Sequence, residues 1–186
     1  MSKLRPGKKT QPLPLPAWEQ RFSALFQAAV EKYRQGHQKA AGIVDEEGRK
    51  FLASIGHTEQ EFFDFVEDFA KAGEPPLETA LRIASVRRDY FLKEQNGVSS
   101  PHRISMDDLP PKDAQIEGIA WLPRLIPKAE AKLRGQMPSD LMYGCGGDRK
   151  FFKTHHLDAA EFLSKVWSAQ GKQSEIVAWV KRLSEN

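Results

Sequence analysis

The chain has 186 residues, 40% of them apolar and 28% charged, with a formal net charge of +3 and one cysteine. Length and apolar content suit one large domain or two small ones with a real core. No apolar run approaches the ~18 residues of a membrane span, no apolar segment follows the basic N-terminus as a secretory signal requires, and one cysteine excludes an internal disulfide, so the reading is a cytoplasmic protein.

Residues 1–15 read as a disordered, basic and Pro-rich tail. Lys3, Arg5, Lys8 and Lys9 lie there, and without them 24 basic residues face 25 acidic ones. A nucleic-acid-binding domain carries its positive charge on a folded face, so nucleic acid is expected at most weakly, through this tail. Gln11 to Pro16 alternates Pro and Leu and should run extended.

Residues 16–97 form a first helical unit. Pro16 suits a helix start, and Trp18, Phe22, Leu25, Phe26, Ala29 and Tyr33 follow at helical spacing until Gly36. After a loop from His37 to Gly48, a short helix from Arg49 should end at Gly56 as a left-handed cap. Thr58-x-x-Glu61 is a capping-box pattern before a helix carrying Phe62, Phe63, Val66 and Phe69. Gly73-Glu74-Pro75-Pro76 breaks it, and a last helix runs from about Leu77 to Gln95. Arg82, Arg87, Arg88 and Lys93 on that helix read as a solvated face.

Residues 98–115, rich in Ser, Pro and Asp, read as a linker. Residues 116–186 repeat the plan. A helix from Pro123 to Gly135 carries Leu125, Ile126, Ala129 and Leu133. A loop to Asp148 leads into a short helix near Arg149. Asp158 should cap the next helix and Ser174 the last. No run alternates long enough to specify a strand. The expected fold is all-α, in two pseudo-repeated units of three to four helices, packed together or joined by the linker.

The repeat is visible as a gapless offset of 100. Arg49, Lys50, Phe51, Glu61, Phe62 and Val66 meet identical residues at 149, 150, 151, 161, 162 and 166. The apolar skeleton repeats, whereas Arg21, Ala24, Ile43, Asp45 and Gly48 stand where the second copy has Trp121, Arg124, Tyr143, Cys145 and Asp148. One working and one drifted half would look like this.

The second copy also carries Gly118-Ile119-Ala120-Trp121-Leu122-Pro123-Arg124-Leu125-Ile126, Lys128-Ala129, Gly135, Tyr143-x-Cys145, Asp148-x-Lys150-Phe151-Phe152, Asp158-x-x-Glu161-Phe162-Leu163 and Ile176-x-x-Trp179-Val180. In that order these resemble DUF5069, a bacterial domain of unknown function. The resemblance implies a small helical fold and no established activity. The family pattern has Asp where this chain has Pro127, and Gly where it has His156.

The stretch Leu141 to His156 holds most candidate site residues. Adjacent His155 and His156 point about 100° apart on a helix and so rarely ligate one metal together, and only one cysteine is near, so no metal site is expected. Cys145 on a glycine loop, with Arg149 near and His155 or His156 as base, is the nucleophile reading. Gly146-Gly147 before a helix is the anion reading, opposed by Asp148 as a helix cap. A purely structural loop, with His156 in a left-handed conformation, needs no chemistry. Together these give a non-catalytic protein that binds an unidentified protein or small molecule through Trp121, Arg124, Tyr143, Cys145, Asp148, Arg149, His155 and His156, with no cofactor implied. The alternative is a small enzyme using Arg124, Tyr143, Cys145, Asp148 and His155.

Overall fold

The computed structural model describes residues 15–184, so the expected N-terminal tail lies outside the described residues apart from Leu15. The described residues are mostly α-helical. α1 spans Ala17–Arg34, α2 Glu46–Ser54, α3 Glu59–Ala72 and α4 Leu77–Lys93. In the second half α5 spans Leu122–Arg134, α6 Gly146–Thr154, α7 Ala159–Ala169 and α8 Gln173–Ser184.

Local chemistry sets most boundaries. Thr58 and Glu61 make the full capping box at the start of α3, and Asp158 accepts from the backbone N–H groups of Ala160 and Glu161 at the start of α7. These bonds satisfy donors that the first helical turn leaves free. α2 begins three residues before the expected Arg49, because the Asp45 side chain accepts from Gly48 N and caps it. Ser174 lies inside α8 and does not precede it. Pro127 sits inside α5, where it removes one helical hydrogen bond.

The segment expected as a linker and free of strands is more ordered than its composition suggests. It holds a 3-10 turn at Met106–Asp108 and leads into a minimal hairpin. β1, Gln115–Ile116, pairs antiparallel with β2, Ile119–Ala120, in the register Gln115–Ala120 and Ile116–Ile119. Glu117 and Gly118 connect them with φ of 48° and 81°, the double left-handed turn that tight hairpins need. Two-residue strands are too short to leave an alternating pattern.

α1 packs on α3 and α5 packs on α7, while α4 lies against α1, α5 and α7. Buried residues from both halves therefore form one continuous core, from Phe22 and Phe62 through Ile83 and Leu125 to Phe162 and Val180. Several pairs of positions 100 apart are alike in burial or backbone conformation. Phe51 and Phe151, Leu52 and Phe152, Phe62 and Phe162, and Val66 and Val166 are all buried, and Gly56 and His156 both have positive φ, 77° and 54°.

Candidate functional site

Asp148 organises the region and is completely buried. Side chains in a helix lean toward its N-terminus, so Asp148, third in α6, reaches back beyond the helix. Its Oδ2 accepts from Gly144 N at 2.8 Å and from Lys128 Nζ at 2.7 Å. Its Oδ1 accepts from Trp121 Nε1 at 3.0 Å. Asp148 is therefore not the expected cap of α6. Cys145 holds the cap position without a side-chain bond, so the first-turn N–H groups of Gly146 and Gly147 receive no side-chain acceptor.

Two backbone features hold this arrangement. Trp121, just before α5, has φ 71° and ψ −28°, a left-handed conformation that strains a bulky residue. Its ring lies over Gly147 so closely that a Cβ there would stand 2.5 Å from the indole. Only glycine allows the Trp121 indole to reach Asp148 across the start of α6.

Above this buried pair opens a cleft of about 700 Å³. One wall comes from α3, through Gln60, Asp64, Glu67 and Asp68; the other includes Trp121, Arg124, Lys128, Cys145, Gly146, Gly147 and Arg149. Both halves thus build it. Lys128 lines it while only 2% exposed, with Nζ also 3.1 Å from Cys145 Sγ. Arg149 ties the walls together, donating to Asp68 Oδ2 at 2.7 Å and to Gly144 O at 2.8 Å. Burial pushes the Asp64 carboxyl up to about 6, despite opposing contributions from Gln60 and Lys132.

The sequence-derived candidates separate into groups. Trp121, Arg124, Cys145 and Arg149 line the cleft, and Asp148 supports its floor. Arg124 also donates to Pro110 O at 2.8 Å, tying down the segment before the hairpin. Tyr143 lies in the core, its hydroxyl donating to Ala159 O at 2.7 Å, and burial raises its phenol well above the ordinary range. His155 packs on Phe151 at 4.4 Å, bonds Ser184 Oγ through Nδ1 and lines a different pocket. Burial, then His156, lowers the His155 pKa. His156 is exposed at the turn after α6. Among the described residues no histidine lines the cleft, and no group of three or more His, Cys, Asp or Glu is placed to hold a metal.

The sequence reading missed Lys128, Asp64, Gln60 and Asp68 as site residues. A signal existed in both helices. Arg124, Lys128 and Lys132 recur every four residues on one face of α5, and Gln60, Asp64 and Asp68 do so on α3. Neither stripe alone says that the two face one cleft.

Fold and site define a mostly α-helical protein with a charged cleft between its halves. Residues 110–186 match the family model of DUF5069, a domain of unknown function. No curated protein and no solved structure matches the chain. No helix among the described residues is long and apolar enough to cross a membrane.

Proposed function

We propose that the cleft binds a small polar molecule carrying both an acidic and a basic group. The observation that carries this reading is the Lys128–Asp148 pair, buried at 2.7 Å directly beneath the cleft. A buried ion pair adds little net stability over apolar residues of the same volume, so its position at the cleft floor favours a role in recognition. Four acids, Asp64, Glu67, Asp68 and Asp140, and four bases, Lys112, Arg124, Lys128 and Arg149, line the space. That balance suits a zwitterion better than a polyanion. The repeated skeleton supports a further part of the proposal, that the two halves derive from one duplicated unit and that the C-terminal copy supplies most of the contact surface.

Native mass spectrometry of the protein purified gently from its own cells tests binding, together with thermal melts against a panel of small amino-acid-like zwitterions. The expected result is a defined adduct or a rise in Tm. Both should disappear in the double variant Lys128→Met with Asp148→Leu, which removes both charges and leaves neither unpaired. A bare mass and no stabilisation across the panel would overturn the reading.

One contact favours a second reading as an enzyme. Lys128 Nζ stands 3.1 Å from Cys145 Sγ, and a cation beside sulfur is a setting used by nucleophilic thiols. Turnover of a bound compound that is lost in Cys145→Ser, with binding retained, would establish it; equal turnover in the variant would eliminate it.

A further inference from the structure

A second cavity, of about 240 Å³, lies away from the cleft; three arginines, Arg49, Arg87 and Arg103, two glutamates, Glu59 and Glu61, and His57 are among its lining residues. Its two most buried polar side chains have atoms with no hydrogen-bond partner in the protein. Arg87, 1% exposed, leaves Nε unbonded, and His57, 3% exposed, leaves Nε2 unbonded. Arg87 donates through Nη1 to Gln95 Oε1 at 2.9 Å and rests over the Phe91 ring. No carboxylate among the described residues stands within ion-pair distance of it. Gly135 belongs to this construction, since a Cβ there would fall 2.3 Å from Arg87 Nη2.

The surrounding charges do not balance. Glu61 is matched by Lys132 at 2.9 Å inside the core, so that pair is neutral as a unit. Arg87 remains a buried cation with no carboxylate in contact, Glu61 acting on it only from beyond ion-pair distance, and a buried charge without a contact partner costs several kcal/mol. At the mouth Arg49 has Glu59 at 3.8 Å, whereas Arg103 donates only to the carbonyls of Ser100 and His102. His57 is uncharged at neutral pH. Burial, then Lys132, lowers its pKa to about 3 against the opposing pull of Glu61. With Nδ1 directed to Ile55 O at 3.2 Å, neutral His57 has Nε2 as an acceptor.

We propose that this cavity binds a small oxyanion that retains a hydroxyl proton, of the hydrogen phosphate or phosphate monoester class, with its oxygens taken by Arg87 and Arg103 and its O–H donated to His57 Nε2. The pairing of a guanidinium donor with an imidazole acceptor demands both functions in one ligand. A single water could offer both, but needs only roughly 10–15 Å³ and carries no charge to compensate Arg87. This proposal stands on residues separate from those of the cleft.

The test compares inorganic phosphate with sulfate at matched ionic strength and pH 7.5, using the full chain, calorimetric titration and thermal melts. Sulfate has the same shape and no proton to give His57. Phosphate is expected to bind and to raise Tm clearly more than sulfate. Arg103→Ala, at an exposed position, should weaken phosphate binding about tenfold or more, as loss of a charge-assisted bond does. Arg87→Met should abolish binding while melting no lower than the wild type without phosphate, because it removes an unpaired buried charge. Equal responses to phosphate and sulfate, or a phosphate response that survives Arg103→Ala, would overturn the proposal even if the Arg87 variant does not fold.

Discussion

Lys128 is held in the protein interior only because Asp148 accepts from it, and Asp148 is held only because three donors converge on its two oxygens. Removing one partner leaves the other charge buried and alone. Lys128→Met is therefore expected to cost about 3–5 kcal/mol, measured by urea unfolding, whereas the double variant with Asp148→Leu leaves no unpaired charge and should recover part of that loss, reduced by the Gly144 N–H and Trp121 Nε1–H left without their acceptor. A Lys128→Met variant within about 1 kcal/mol of wild type, the scale of an exposed pair, would show the pair to be solvated. Two titrating residues pull stability in opposite directions. His57 has a folded pKa of about 3, below its unfolded value of 6.5, so its contribution is present above pH 6.5 and is lost as pH falls. Asp64 has a folded pKa of about 6, above its unfolded 3.8; the folded state takes up that proton first, so stability rises as pH falls from 6 toward 3.8. In Asp64→Asn the His57 slope, with a contribution of the same sign from His155, should remain unopposed, a loss of about 2 kcal/mol between pH 6.5 and 5. The wild type should show a shallower fall over the same range. Equal slopes in the two proteins would contradict the assignment to Asp64.

Among the elements, α5 carries the basic wall of the cleft on a helix with a proline in its interior. It supplies Arg124, Lys128 and Lys132 on one face, yet Pro127 interrupts its hydrogen-bond ladder. Pro127→Ala would restore an N–H for the Pro123 carbonyl and remove the ring clash, and is expected to stabilise the protein by up to about 3 kcal/mol. Thermal denaturation checks this, and a lower Tm in the variant would show that the proline ring is packed where alanine leaves a gap. α6 meets a different demand. In its uncapped first turn Gly147 is kept small by the Trp121 ring. The glycines that read as a flexible loop before the helix are the first turn of the helix itself.

For the whole molecule, α4 decides whether the halves are independent. It packs against α1 in the N-terminal half and against α5 and α7 in the C-terminal half, and its Ile83 and Ala84 are buried in the common core. Residues 110–186 on their own would expose the surface that α4 covers. That fragment is expected to lack a cooperative thermal transition by circular dichroism, or to self-associate in sedimentation. A monomeric fragment with a sharp melt would show that the family-matched region is a self-sufficient domain and α4 an accessory.

The helix order, the side-chain-capped starts at Thr58 and Asp158, and the left-handed turn at His156 were all legible in the amino-acid order. Helical spacing, caps and turn chemistry act within a few residues, so the local sequence carries them. Of the candidates that line the cleft, Cys145 and Arg149 lie in the glycine-rich stretch, whereas Trp121 and Arg124 stand at the start of α5. Tertiary structure alone decided the rest. It turned Asp148 away from capping and toward Lys128, and sent Tyr143 into the core and His155 to another face. It also set α3 opposite α5 and left Arg87, read as part of a solvated face, buried without a counterion. Each of these depends on residues that are not chain neighbours, and burial and ion pairing depend on the groups that folding brings into contact.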